Sequence, residues 1–282
     1  MENSNLRNFI VHWLNEDIGD GDHSSLACIP ADAEGKAKLL IKDNGILAGV
    51  RIALLVFSEV DKSLKTEILI QDGASVKAGD IVFFVSGRRR SLLKAERLVL
   101  NIMQRMSGIA TTTGTYVNLL KGLKTKILDT RKTAPGMREL EKEAVRLGGG
   151  FNHRMGLYDM IMLKDNHIDY AGGIKAAIKR TNEYLKTTGR NLKIEIEARD
   201  LNDVKEIMET GGVDRIMLDN FSINDTKAAL NIISGNYETE SSGGITLKNL
   251  REYAETGVDY ISVGALTHHL KSLDMSLKAV MD

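Results

Sequence analysis

Residues 193–265 read KIEIEARDLNDVKEIMETGGVDRIMLDNFSINDTKAALNIISGNYETESSGGITLKNLREYAETGVDYISVGA. Four short strand-like runs, KIEIEA, DRIMLDN, YETESS and DYISVGA, alternate here with helical patterns, which indicates a parallel sheet, either open or closed into a barrel. The strands end at Glu197, Asp219, Ser242 and Gly264, separated by 22, 23 and 22 residues. So regular a repeat favours a barrel over a doubly wound sheet. Two further runs, KTKILDT (124–130) and DMIMLK (159–164), extend the series upstream to six. Six units imply an incomplete barrel or one irregular strand that the pattern hides. In barrels the chemistry sits on the loops after the strands.

The first 90 residues are patterned differently. AKLLIKDNGILAGV and KTEILIQDGASVKAGDIVFFVSG place apolar runs on either side of Asn-Gly and Asp-Gly pairs, strong hairpin cues. An antiparallel sheet with a helix or two is expected, with Val50 to Val60 as a covering helix. The turn around Gly73 and Gly79 is similar to that of lipoyl-type domains, but no Met-Lys pair stands at its tip. From Ser91 a long helical stretch bridges to the barrel, with a break expected near Gly108.

At 282 residues, 43% hydrophobic and 27% charged, the chain has the composition of a soluble globular protein with room for a substantial core. The start lacks the pattern of a secretory signal, and no apolar run reaches the roughly 20 residues needed to span a bilayer. With 38 basic and 38 acidic residues and one cysteine, Cys28, nothing points to nucleic acid, a membrane or a disulfide framework. A cytoplasmic location is expected.

Against that neutral background the cations are placed locally. Between Lys121 and His167 stand ten Lys/Arg and six Asp/Glu. Such a local excess suggests a pocket for a small, multiply anionic ligand. Arg131 and Lys132 follow the first strand, His153 and Arg154 follow a Gly-rich turn, and Lys164 ends the second strand. Arg138 reads as a helix-surface residue and His167 as a structural partner of the second strand end. Any one polar strand end reads as a helix cap; six on one rim read as a site.

In SSGGI, Gly243 and Gly244 precede a helical pattern from Thr246, where backbone N–H groups and a helix dipole could cradle a phosphate. VGALTH, at Gly264, repeats the arrangement in the last unit, where barrels often bind phosphate. Glu197 and Asp219, on neighbouring strands beside phosphate-binding groups, suit Mg²⁺. His12, Asp17, Asp20 and Asp22 read as a capped N-terminal turn and not as metal ligands. Lys132 or Lys164 could form a Schiff base if desolvated, but guanidinium neighbours favour anion gripping.

DTRKTAPG, EKEAVRLGGGFNHR, LKDNH, IEIEARD, IMLDNF, SSGGI and TGVDYISVGALTHH, with EDIGDGD, the AER of the bridging helix and SGIAT, resemble the quinolinate phosphoribosyltransferase family in order and spacing. The family is also called nicotinate-nucleotide pyrophosphorylase (carboxylating), and the likeness covers nearly the whole chain. It implies an N-terminal open-faced α/β sandwich over 1–108, joined by a C-terminal tail of about 268–282, and an incomplete, TIM-like α/β barrel over 109–267. It also implies phosphoribosyl transfer from 5-phosphoribosyl 1-diphosphate to quinolinate with decarboxylation, in NAD biosynthesis, with Mg²⁺ required. The implied assembly is a homodimer, or a larger oligomer, with active sites completed across an interface by Arg97.

By the same resemblance, Arg97, Arg131, His153, Arg154 and Lys164 would bind quinolinate, and Lys132 would lie between quinolinate and diphosphate. Glu197 and Asp219 would serve the ribose and the metal, and Ser242, Gly243, Gly244 and Gly264 the 5-phosphate. Lys132, Lys164, Glu197 and Asp219 would be the catalytic residues. The chain departs from the family pattern at Ala134, at EARD after Glu197, and by one extra residue in TGGVD. The rival readings are a paralogue from molybdate-transport operons with another acceptor, a Schiff-base aldolase, and a non-catalytic anion binder.

Overall fold

The computed structural model describes residues 3–280. The elements run α1 (Asn3–Ile18), α2 (His23–Cys28), β1 (Glu34–Ile41), β2 (Gly45–Ile46), α3 (Val50–Val60), β3 (Lys65–Ile68), β4 (Ser75–Val76) and β5 (Ile81–Arg88). There follow α4 (Arg89–Leu119), β6 (Lys126–Leu128), α5 (Arg138–Leu147), β7 (Ile161–Leu163), α6 (Asp165–Ala171) and α7 (Ile174–Thr188). The last are β8 (Ile194–Ala198), α8 (Leu201–Thr210), β9 (Arg215–Asp219), α9 (Ile223–Ile233), β10 (Glu238–Ser242), α10 (Leu250–Ala254), β11 (Tyr260–Ser262), α11 (Ala265–His268) and β12 (Met275–Val280). No helix among the described residues is long and apolar enough to cross a membrane.

Two compact units emerge. The first holds residues 1–114, 134–149 and 269–282, the second 115–133 and 150–268, with residues 1, 2, 281 and 282 outside the described region. The segment 134–149, carrying α5, groups with the first unit, although its position between barrel strands in the sequence had placed it in the barrel. Its amphipathic helix buries Leu140, Ala144 and Val145, and the fully buried Glu141 accepts the Arg105 guanidinium, with Arg105 Nη2 at 2.6 Å.

In the first unit four antiparallel strands lie in the order β12-β1-β5-β3. One face is covered by α3, as the run Val50 to Val60 predicts. Asp72 caps that helix by accepting the amides of Val50 (2.8 Å) and Arg51 (3.1 Å). Val50, Ile52, Ala53, Val56 and Phe57 are its buried residues. Phe57 meets Phe83 of β5 edge to face, ring centroids 5.7 Å apart, a geometry favoured by the ring quadrupoles. The Asn44-Gly45 pair does not close a hairpin: after β1 the chain leaves the sheet, and β2 pairs with β4 instead.

The helix α4 runs unbroken through Gly108. That glycine is required by a close approach: a Cβ there would stand 2.3 Å from the Lys271 carbonyl oxygen. The C-terminal segment is then pinned to α4 by Leu273 N to Gln104 O (3.0 Å) and Gln104 Nε2 to Met275 O (3.0 Å). Gly108→Ala is expected to lower stability by about 1–3 kcal/mol through this overpacking, read as an earlier urea midpoint. An unchanged midpoint would show that the segment yields at no cost.

In the second unit six parallel strands lie in the order β6-β11-β10-β9-β8-β7. The six strand-like runs are all present, and the first and last of them are hydrogen-bonded neighbours, β6 with β11. The irregular strand is a single parallel bridge, Leu128 with Phe151, on the far side of β6. The barrel is therefore incomplete between Phe151 and β7, where Arg154 reaches across to donate from Nη1 to the Met160 carbonyl (3.2 Å).

Alternation along the strands sorts two faces. Ile194, Ile196, Ala198, Ile216 and Leu218 join the apolar core with Ile178 of α7, Val204 and Ile207 of α8, and Ala229 of α9. Their partners in the alternation, Glu195, Glu197, Arg215, Asp219, Glu238, Glu240 and Ser242, face the barrel's other side. That interior is charged.

Candidate functional site

A cleft of about 520 Å³ opens at the C-terminal ends of the barrel strands. Arg131, Lys132, His153, Arg154, Lys164, Glu197, Asp219, Ser242, Gly243, Gly244 and Gly264 all line it, as do Thr130, Met162, Asp165, Met217, Asn220 and Ser262, which the sequence reading had not singled out. Thr130, Asp165 and Asn220 stand just after strand ends, whereas Met162, Met217 and Ser262 lie within strands and read as core or filler residues. Only the register of their strands puts Met162, Met217 and Ser262 into the cleft lining. Arg97 stands on α4 in the first unit, where it lines a separate cavity of about 350 Å³ with Trp13, Asp17, Asn101 and Arg105.

The cationic side is built from loops after β6 and Phe151. Lys132 donates its amide to Thr130 Oγ1 (3.1 Å), and its carbonyl accepts from Thr267 Oγ1 (2.7 Å). Its side-chain stem passes 3.1 Å from where a Cβ on Gly264 would be. Arg131 Nε is buried with no hydrogen-bond acceptor. A guanidinium donor left so is costly unless a ligand supplies the oxygen. Arg154, 8% exposed, is held below its usual pKa by burial and then by the charge of Arg131, while Glu195, Asp159 and Glu197 act the other way. Two adjacent guanidinium groups suit a ligand bearing more than one negative charge.

His153 lines the cleft from a loop anchored beneath it. It is 6% exposed at the side chain, its Nδ1 accepts the Arg154 amide (2.7 Å), and its own amide donates to the buried Asp129 (2.8 Å). Asp129 is thus an anchor beneath the loop. His167 is structural, accepting the Lys164 amide at Nδ1 (3.0 Å) and capping α6.

The acidic side lies on β8 and β9. Glu197, 6% exposed, pairs with Lys164 through Oε1 and accepts the Asp165 amide at Oε2 (3.2 Å). A lysine engaged by a carboxylate is not the free, desolvated amine that a Schiff base needs. Asp219 is pushed above its usual pKa by burial and then by the charge of Glu197. A carboxyl whose proton affinity is raised by a neighbouring carboxylate makes with it a fitting donor pair for a hard divalent cation. The four N-terminal residues His12, Asp17, Asp20 and Asp22 do not form a ligand cluster. Asp22 caps α2 through the Ser25 amide (3.1 Å).

The third side of the cleft is made of glycines. Gly243 and Gly244 adopt φ of 89° and 63°, and a Cβ on Gly243 would collide with Asn220 Oδ1. The helix expected from Thr246 begins only at Leu250 and spans five residues, with four residues in α11 after Gly264. Backbone amides of the turns, and not helix dipoles, are therefore the available donors.

Residues 22–107 and 109–278 match the models of the quinolinate phosphoribosyl transferase N-terminal and C-terminal domains. The chain is 46% identical to the chloroplastic nicotinate-nucleotide pyrophosphorylase [carboxylating] of Arabidopsis thaliana, over 97% of this chain and 82% of the relative. It is 41% identical to a probable nicotinate-nucleotide pyrophosphorylase [carboxylating] of Bacillus subtilis, over 100% of this chain and 96% of that one. The solved structure of NadC from Streptococcus pyogenes superimposes with a TM-score of 0.94 at 37% identity, covering 100% of this chain and 99% of that one. On matches that extend over both units, the chain belongs to the quinolinate phosphoribosyl transferase family.

Proposed function

We propose that the protein transfers a phosphoribosyl group from 5-phosphoribosyl 1-diphosphate to quinolinate with loss of the 2-carboxylate. The products are nicotinate mononucleotide, pyrophosphate and carbon dioxide. The observation that carries this reading is one cleft holding Arg131, with its buried unpaired Nε, beside Arg154, opposite Glu197 and Asp219 and the Gly243-Gly244 turn. Such a cleft has a place for a dicarboxylate, for a ribose and for a phosphate.

Arg131, Arg154 and Lys164 would hold the carboxylates so that the pyridine nitrogen lies in line with the ribose carbon, where positioning supplies much of the rate. Lys132, between the two ligand regions, would offset charge on the departing diphosphate. Mg²⁺, held by Glu197 and Asp219, would supply further neutralisation of the diphosphate. When the bond to the 2-carboxylate breaks, its electron pair stays on the ring carbon until a proton arrives. A cation close by lowers the cost of that charge. No step needs a nucleophilic side chain.

The assembly we infer is a homodimer in which Arg97 serves the partner's site. Leu157 and Tyr158, 72% and 69% exposed in the loop before β7, offer apolar surface for a second copy. A cytoplasmic location is part of the same reading, resting on a single, exposed cysteine. Nicotinate, which lacks the 2-carboxylate, is expected to be used at least about tenfold less efficiently than quinolinate, the scale of one lost charge-assisted contact. Equal efficiency in a coupled pyrophosphate assay would overturn the dicarboxylate assignment.

A further inference from the structure

The end of β9 is shaped by a residue that the proposed chemistry does not use. Among the described residues only Asn220 and Ser234 have a positive φ without being glycine, at 58° and 49°. Ser234 closes the helix α9, where a left-handed residue is an ordinary cap. Asn220 instead closes a strand and lines the cleft. Consecutive side chains of a strand point to opposite faces. The left-handed turn breaks that alternation and brings the Asn220 amide group beside the carboxylate of the residue before it, with Nδ2 donating to Asp219 Oδ2 at 2.9 Å. Its backbone N–H donates to the Ser242 carbonyl (2.8 Å), which ties the end of β9 to the end of β10.

The two acidic groups of the cleft are held differently. Glu197 is engaged at both oxygens, by Lys164 at Oε1 and by the Asp165 amide at Oε2. For Asp219 the bond from Asn220 is the only hydrogen bond its carboxylate accepts among the described residues. One contact therefore decides how that carboxylate is turned.

We propose that Asn220 is a positioning residue: its side-chain amide fixes Asp219 through Oδ2 and leaves Oδ1 for the divalent cation that accompanies the phosphoribosyl donor. The proposal rests on the function given above. With Nδ2 committed to the carboxylate, the Asn220 oxygen faces the other way, toward Gly243. The glycine leaves room for it, since a Cβ at 243 would stand 2.6 Å from Asn220 Cγ. The asparagine and the glycine turn thus fit together as one device, with the amide group packed between the turn and the carboxylate.

A competing explanation is that asparagine stands at 220 only because it tolerates the left-handed region better than most residues. Glycine separates the two, because it adopts a φ of 58° without steric cost and carries no side chain. For Asn220→Gly we expect a urea midpoint at or above that of the wild type. Binding of Mn²⁺ in the presence of 5-phosphoribosyl 1-diphosphate, followed by loss of the free-ion electron paramagnetic resonance signal, is expected to weaken about tenfold, the scale of losing a hydrogen-bond partner behind a metal-binding carboxylate. Quinolinate binding, measured by calorimetry, is expected to stay within about twofold of the wild type. Mn²⁺ binding weakened by less than about threefold overturns the proposal, because Asn220 then serves its backbone conformation alone. A larger loss that comes with an earlier urea midpoint, or with an equal loss of quinolinate binding, overturns it as well, since the fold of the cleft has then changed. A wild-type protein that binds no Mn²⁺ with the phosphoribosyl donor refutes the function itself, and the proposal with it.

Discussion

Replacing Arg131 with alanine is expected to lower kcat/KM for quinolinate by about 30- to 900-fold, equivalent to about 2–4 kcal/mol at the transition state. Arg131 brings a buried donor with no acceptor into the cleft, and an anionic ligand would complete it. Its truncation removes a donor buried in the cleft wall, so the loss exceeds that of a surface ion pair. The relief of repulsion with Arg154, whose pKa Arg131 lowers, offsets only part of this. Arg131→Lys should recover little, since a point charge cannot reproduce the guanidinium fork. Steady-state kinetics within about twofold of the wild type for Arg131→Ala would remove Arg131 from the site.

The second large effect is an all-or-none change on mixing. Arg97→Ala and Lys164→Ala are each expected to abolish most turnover as pure proteins. Arg97 belongs to α4 of the first unit, while Lys164 lines the barrel cleft. If Arg97 is delivered to a partner's site, co-expression of the two variants restores one intact site per heterodimer. Random pairing makes half the dimers mixed, so activity should return to about a quarter of the wild-type level. No recovery from purified, doubly tagged heterodimers would mean that each site is built within one chain.

The barrel was legible because its strands obey period two and its βα units recur at near-constant length. The incomplete seam was not, since Phe151 contributes a single bridge and leaves no alternating run to detect. The break foreseen at Gly108 failed for a physical reason: the glycine answers to a passing chain segment, and its helix propensity cost is outweighed by the neighbours of a long buried helix. The Asn44-Gly45 cue failed similarly, because the β1 edge is satisfied by strands far away in sequence.

The grouping of Lys132, Lys164, Glu197 and Asp219 in one cleft was legible, since they stand at or just after strand ends whose positions are fixed by spacing. The layer below it was missed. KIEIEA and YETESS place Glu195 and Glu240 in the same alternation as Glu197 and Ser242, and that pattern was available. A glutamate at an alternating position reads as solvent-facing, however, because most are. Only the closing of the sheet turns that face into an interior, where the carboxylates need Arg215 and His153 as company.

The helix expected after Gly244 is the other difference with a consequence. With α10 starting at Leu250, the phosphate site we propose would rest on the amides of the Gly243-Gly244 turn. The requirement for glycine at 243 then comes from Asn220, whose side chain occupies the space a Cβ would need.

The central claim is that one cleft joins a phosphoribosyl group to quinolinate and removes a carboxylate. The direct measurement supplies the purified protein with quinolinate labelled in the 2-carboxylate and follows the release of labelled carbon dioxide. Release is expected only when 5-phosphoribosyl 1-diphosphate and Mg²⁺ are both present, in step with nicotinate mononucleotide. Release without the phosphoribosyl donor, or no release with all components supplied, would contradict the account.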